Sequence, residues 1–257
     1  MRILLTNDDG VHAPGIRVLK ECLSSFADVW VVAPLEERST TGHTVTLNDT
    51  LRLVEIDEKV FGCSGYPADC FLLAKGHLFK KSKIDLVISG INRGANLGQD
   101  VFYSGTVAAA REATFHQVPS IAISSVAEFV NPSQEIRYFT AGHFLNKLIL
   151  GGIAKNIGMG ELLNINVPNL DIDKVKGIEA ANPGRRIYSD DIDERVDCRG
   201  RTYFWIGGTY RGHDQRQGTD CTIVDSGKIA VTPFHYTGHM SERMQFWNDY
   251  LRGFVLA

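Results

Sequence analysis

The 257-residue chain lacks the marks of several protein classes. Its five cysteines (Cys22, Cys63, Cys70, Cys198, Cys221) are odd in number and scattered, with no C-x-x-C pair. That excludes a disulfide ladder and points to a reducing compartment, where most of these thiols serve as small buried hydrophobes. No apolar run approaches a membrane span, and no basic stretch followed by an apolar one opens the sequence. The expectation is a cytoplasmic protein with neither secretory leader nor membrane partner. A net charge of −3 provides no global pull toward a nucleic-acid polymer. There is no G-x-x-x-x-G-K-[ST], which excludes a P-loop, and no G-x-G-x-x-G after the first strand, which removes the dinucleotide fingerprint. H-E-x-x-H and G-x-S-x-G are missing too. His235 and His239 have helical spacing, but Thr237 and Gly238 between them argue against a helix, and zinc needs more soft ligands.

What is present is a regular alternation. Apolar runs at Ile3–Thr6, Val29–Ala33, Leu51–Ile56, Val60–Cys63, Leu86–Ser89, Ser120–Ser124, Leu162–Val167 and Ile229–Thr232 read as strands. Helical patterns lie between them at Pro14–Phe26, Ala68–Leu78, Thr106–Phe115 and Glu135–Leu150, and a last one runs over Ser241–Leu251. Strands alternating with helices imply a mostly parallel sheet covered on both faces, a three-layer α/β/α, Rossmann-like arrangement. The 44% apolar content is enough for a substantial core, and no linker forces a split, so residues 1–257 are expected to form one domain. The character changes at 184–218, which is rich in Arg, Asp and Gly around the aromatic strand Tyr203–Ile206. Its acids match its arginines, so an extended arm is expected rather than a polyanion site, with residues 184–257 contributing an oligomerisation arm and tail.

Two stretches carry chemistry. The first strand runs into Asn7-Asp8-Asp9-Gly10. Ligands in open α/β sheets bind beyond the carboxyl ends of the strands, which is where Asp8 and Asp9 fall. Two carboxylates in one crevice repel, and a hard divalent cation relieves that repulsion. The plainer reading is an Asp-Gly turn. The second stretch is Gly90-Ile-Asn92-Arg-Gly94-Ala-Asn96-Leu-Gly98, again after a strand, with amides that can ligate metal or donate to oxyanions. Ser104-Gly105-Thr106 then opens a helix, whose free N–H groups and partial positive charge suit phosphate. An ordinary capped loop is the alternative. Ser39 follows the second strand and falls at the same edge.

Together these residues resemble the SurE family of nucleotidases. The resemblance covers nearly the whole chain. It rests on Thr6-Asn-Asp-Asp-Gly10 with Pro14-Gly15, on Ala33-Pro34 and Arg38-Ser39, and on Gly65-Tyr-Pro-Ala-Asp-Cys70. Ser89-Gly-Ile-Asn-Arg-Gly-Ala-Asn-Leu-Gly98 and Tyr103-Ser-Gly-Thr-Val-Ala-Ala-Ala-Arg-Glu112 are its most specific parts, and Arg199–Gly207, Thr219-Asp220 and Val231-Thr-Pro233 extend it. Tyr66 stands where a small residue is common and Cys198 where proline is common.

The resemblance implies a metal-dependent phosphatase acting on nucleoside 5′-monophosphates, with 3′-monophosphates as a further substrate class. It implies that Asp8, Asp9, Ser39 and Asn92 hold one divalent ion, Mg²⁺ or Mn²⁺, per subunit. It also implies that Asn96, Ser104, Gly105 and Thr106 hold the phosphate, and that the protein is a homodimer or homotetramer built partly by exchange of C-terminal elements. The expected route is direct water attack with Asp8, Asp9 and Asn96 as the catalytic set. Two rival readings use the same centre: an exopolyphosphatase, and a nucleotide or phosphate sensor in which metal only tethers ligand.

Overall fold

A computed structural model describes residues 1–127 and 135–238. All eight apolar runs become strands of one sheet: β1 (Arg2–Thr6), β2 (Asp28–Pro34), β3 (Leu53–Asp57), β4 (Val60–Cys63), β5 (Leu86–Arg93), β6 (Ser120–Val126), β7 (Glu161–Pro168) and, late in the chain, β13 (Ile229–His235). One further strand, β8 (Ile178–Ala180), completes it. The order is β3-β4-β2-β1-β5-β6-β7-β13-β8. The middle, from β4 to β7, is parallel throughout; β3 on β4 and β13 on β7 run antiparallel.

The period-two alternation of a strand divides the core into two layers. Ile3 and Leu5 of β1 join Val29, Val31 and Ala33 of β2 on one face. There they meet Ile16, Leu19 and Leu23 of α1 (Pro14–Leu23) and Ala141, Leu145 and Ile149 of α4 (Tyr138–Leu150). Leu4, Val32 and Val87 face the other way, onto Cys70 and Phe71 of α2 (Pro67–Leu73) and Ala113 of α3 (Gly105–Phe115). Ile3, Leu4 and Leu5 are all 0% exposed. Burial of a side chain this size stabilises by about 2 kcal/mol, so a single strand anchors both layers. This is the three-layer α/β/α arrangement.

Element ends differ from the sequence reading for identifiable reasons. The first helix stops at Leu23 rather than Phe26, where the Ser24 hydroxyl donates to the Lys20 carbonyl at 2.6 Å and competes with the backbone. The second stops at Leu73, then widens into a π turn over Ala74–Leu78 closed by Phe79 N–H to Ala74 O at 2.8 Å. The fourth starts at Tyr138, after Arg137, whose φ −83° and ψ 56° lie outside the helical region while its N–H donates to Asn169 Oδ1 at 2.7 Å. The strand expected to end at Ser89 continues to Arg93, through a register shift against β6 between Ser89 and Asn92.

In the late chain the short helix α5 (Asp220–Asp225), capped by Thr219, was not evident from periodicity. Between β8 and α5 lies a long hairpin. Its inner rung pairs β9 (Arg186–Tyr188) with β12 (Tyr210–His213), and its outer rung pairs β10 (Ile192–Val196) with β11 (Thr202–Ile206). This is the expected arm. Its apolar side chains stand in the open, Trp205 at 60% and Ile206 at 88% exposure. The helix expected over Ser241–Leu251, like His239, lies outside the described residues. No helix among the described residues is long and apolar enough to cross a membrane.

Candidate active site

The register of the sheet brings the two chemical stretches together. Thr6 at the end of β1 pairs with Ser89 of β5, and Leu5 pairs with Val31 of β2. The turn after β1 therefore lies between the segments that follow β2 and β5. Asn7 shapes that turn: its Nδ2 donates to the Gly10 carbonyl at 2.8 Å and its Oδ1 accepts the Gly10 N–H at 3.2 Å. Gly10 closes it at φ 101°, which side-chain-bearing residues rarely adopt. Asp8 and Asp9 ride on this closed turn.

The two carboxylates differ. Asp8 is buried, and its Oδ1 accepts the Thr106 hydroxyl. Its backbone carbonyl accepts the Arg38 N–H at 2.7 Å, which joins the segment after β2 to the turn. The first turn of α3 backs onto it: a Cβ on Gly105 would stand 2.8 Å from the Asp8 Cβ. Burial pushes the Asp8 carboxyl above its ordinary range, against the Thr106 hydroxyl and nearby backbone donors. Asp9 is only partly buried and accepts one long bond, from the Arg93 N–H at 3.3 Å. Burial first, and the Asp8 charge second, push its carboxyl from 3.8 up to about 7. Among the described residues no Lys, Arg or His side chain forms an ion pair with either carboxylate.

The neutral groups lie alongside. Asn92, next to the Arg93 that touches Asp9, donates its Nδ2 to the Gly94 carbonyl at 3.0 Å, which leaves its amide oxygen for a ligand. Asn96 is buried, with its Nδ2 donating to Ser124 Oγ at 3.0 Å. Ser104 caps α3 by accepting the Val107 N–H at 3.1 Å. The Thr106 hydroxyl donates to Asp8, which ties the first turn of α3 to the carboxylate turn. Ser39 is exposed and its hydroxyl donates to Glu37 at 2.7 Å, so its segment reaches the turn through Arg38 while its own oxygen faces elsewhere. No group of three or more His, Cys, Asp or Glu among the described residues is arranged to hold a metal. The donor set here is two unpaired carboxylates with amide and hydroxyl oxygens, which fits a hard, oxygen-seeking divalent cation and not zinc.

A family model described as "Survival protein SurE" matches residues 3–190. The chain belongs to the SurE family. It is 43% identical over 234 residues to a 5′-nucleotidase SurE of Paramagnetospirillum magneticum, covering 91% of this chain and 89% of that protein. A 5′-nucleotidase SurE of Heliobacterium modesticaldum is 42% identical over 258 residues, covering 98% and 93%. The crystal structure of the SurE protein from Aquifex aeolicus superposes with a TM-score of 0.86 at 34% identity, over 98% of this chain and 100% of that one.

Within this SurE fold the sequence reading missed the scaffold of the Asn96 loop. The Asn96 N–H donates to Asn166 Oδ1 at 2.9 Å, and its carbonyl accepts from Asn164 at 2.7 Å and Asn166 at 3.0 Å. Both asparagines are 0% exposed inside β7, where strand propensity disfavours them. Asparagine at alternate positions of a buried strand was the signal available.

Proposed function

We propose that this SurE-family protein is a divalent-metal-dependent 5′-nucleotidase that hydrolyses nucleoside monophosphates to nucleoside and phosphate. The observation that carries this is the pair of carboxylates without a cationic partner, Asp8 buried against the first turn of α3 and Asp9 half-buried against the loop at Arg93. A receptor for phosphate alone would not place two anions beside its ligand, whereas a cation between them makes the site attractive to it. The relatives named as 5′-nucleotidases support the substrate class.

Asp8, Asp9 and Asn92 hold the ion, joined by Ser39 once its hydroxyl turns from Glu37. The chemistry supplied by a bound divalent ion is Lewis acidity toward a phosphoryl oxygen and toward water. Ser104, Gly105 and Thr106 receive the phosphate at the start of α3, where backbone N–H groups face an anion without reorganising. Asn96 donates its remaining amide hydrogen to the same oxygens. Asp9 orients the attacking water, because Asp8 is tied to Thr106 and Asp9 is held by a single long bond. With both carboxylates engaged in this way, hydrolysis proceeds without a phospho-enzyme.

The arm carries a further part of the reading. Exposed Phe204 and Ile206 on one face of a strand, with Trp205 on the other, are apolar groups suited to a second copy of the chain, so the working form is a homodimer or homotetramer. Five unpaired cysteines suit a reducing compartment such as the cytoplasm.

Phosphate release from a panel of nucleoside 5′- and 3′-monophosphates and short polyphosphates, with Mn²⁺, Mg²⁺ or EDTA, tests the proposal. Metal-dependent release from 5′-monophosphates that EDTA abolishes is the expected result. Preference for polyphosphate would move the assignment to an exopolyphosphatase. Stoichiometric binding without release in folded, metal-loaded protein would overturn the enzyme reading.

A further inference from the structure

The loop that carries Asn96 is fastened at its far end to a residue outside the site. Two positions on, the Gly98 N–H donates to Asp220 Oδ2 at 2.8 Å. The other oxygen of Asp220 accepts the Gly184 N–H at 2.8 Å and the Cys221 N–H at 2.8 Å. Asp220 is 0% exposed, and among the described residues no cation pairs with it. A buried carboxylate is expensive unless its lone pairs are satisfied, and here backbone N–H groups from three separate segments satisfy them. Those segments are the Asn96 loop, the root of the arm and the start of α5.

The choice of residue is specific. An ionised carboxylate accepts from several directions and has no hydrogen to place. Asparagine in the same space would turn an N–H against one of the N–H groups it must receive. The backbones meet closely here: Gly98 has φ +56°, and a Cβ on it would stand 2.6 Å from the Gly184 carbonyl oxygen. Gln99 adds a second tie to the arm. Its Nε2 donates to the Arg186 carbonyl at 2.7 Å and its Oε1 accepts the Arg186 N–H at 2.9 Å. The Arg186 guanidinium pairs with Asp100 at 2.6 Å.

We propose that Asp220 is a positioning residue that fixes Gly98, and through it Asn96, at a place set by the root of the arm. The placement of the arm then tunes phosphate binding. This rests on the 5′-nucleotidase reading for its kinetic consequence, while the joint itself is tested separately.

The experiment compares metal-loaded parent protein with Asp220→Asn and Gly98→Ala, which attack the joint from opposite sides. The readouts are KM for a nucleoside 5′-monophosphate, inhibition by inorganic phosphate and hydrogen exchange of segment 94–102, with kcat, Mn²⁺ half-activation and Tm as controls. Losing a charge-assisted backbone bond at this joint is expected to raise KM and the phosphate inhibition constant together by about tenfold. The Mn²⁺ concentration for half-activation should move far less, because Asp8 and Asp9 stand on a different turn. Exchange over 94–102 should quicken while β1 and β5 keep the parent rates. Unchanged KM and phosphate inhibition in both variants would overturn the proposal. So would a joint fall of kcat, metal affinity and Tm, which marks general loosening. Should both variants fail to fold, Gln99→Ala cuts only the arm-side bonds, and an unchanged phosphate inhibition constant there overturns the proposal. An inactive parent protein defeats the 5′-nucleotidase reading instead, and hydrogen exchange then decides the joint by itself.

Discussion

The acids at the sheet edge and the acids of the arm are treated in opposite ways. In and around the arm, Asp193 pairs with Arg195 at 2.6 Å, Asp197 with Arg201 at 2.8 Å and Asp214 with Arg216 at 2.6 Å, all from neighbouring stretches of sequence. The backbone N–H groups of Arg201 and Arg199 hold the Asp197 carboxyl below its ordinary range, and the Arg216 side chain does the same for Asp214. At the sheet edge, buried Asp8 and half-buried Asp9 stand beside each other, no cationic side chain among the described residues pairs with either, and both carboxyls are raised. A count of acidic residues favours the arm. Burial without a counter-charge distinguishes the turn after β1, and that is the ground for proposing an added cation there.

The contrast can be broken most severely at its centre. Asp9→Ala and Asn92→Ala should each lower kcat/KM by at least about 100-fold, since on the proposed reading each removes a ligand of the ion. Circular dichroism should show the fold retained. Near-parent activity in either variant would remove the site assignment.

The raised carboxyls sharpen it next. A carboxyl raised from 3.8 to about 7 favours the metal-free fold most below its ordinary pKa, and that contribution is lost as pH rises through about 7. Metal requires the ionised form, so its stabilisation has the opposite trend. The gain in Tm on saturating Mn²⁺ should be small near about pH 5.5 and large by about pH 8. A gain independent of pH would show that Asp9 does not titrate with the ion.

Thr106→Val tests the anchoring of Asp8. It removes the hydroxyl that Asp8 accepts and leaves the α3 backbone in place. About a tenfold loss in kcat/KM is expected, with weaker Mn²⁺ activation, from the loss of one hydrogen bond to a charged group. Equal Mn²⁺ activation in both proteins would show that the Thr106 hydroxyl does not anchor Asp8 for the ion. The smallest effect belongs to the arm: Arg201→Ala should leave Tm and turnover near the parent values, because exposed ion pairs of this kind contribute little. A large fall in Tm would mean that the pair is covered in the assembled protein.

The sequence exposed the local features and hid the distant ones. The paired carboxylates, the Ser104 cap and the alternation that fills both core layers are written in adjacent or periodic residues, and they stand where expected. The tertiary supports were not legible. Asn166 meets Asn96 across 70 positions and Asp220 meets Gly98 across 122, and only the register of β7 and the return of the chain through α5 bring them there. Glycines misled in one place: Gly90 read as the end of a strand, whereas it bends one that continues to Arg93. Ser39 shows a further limit, since its hydroxyl follows Glu37 two residues away and not the fold as a whole.

The meeting of Gly98 with Gly184 has a consequence for how such a protein can diversify. The loop and the arm touch there through main chain, and the side chain that bridges them at that point, Asp220, bonds only main-chain N–H groups. Nothing in that joint depends on the composition of the hairpin beyond Tyr188. The outer rung is thus free to change length, aromatic content and charge to suit a new neighbour, while the chemistry at the sheet edge keeps its settings.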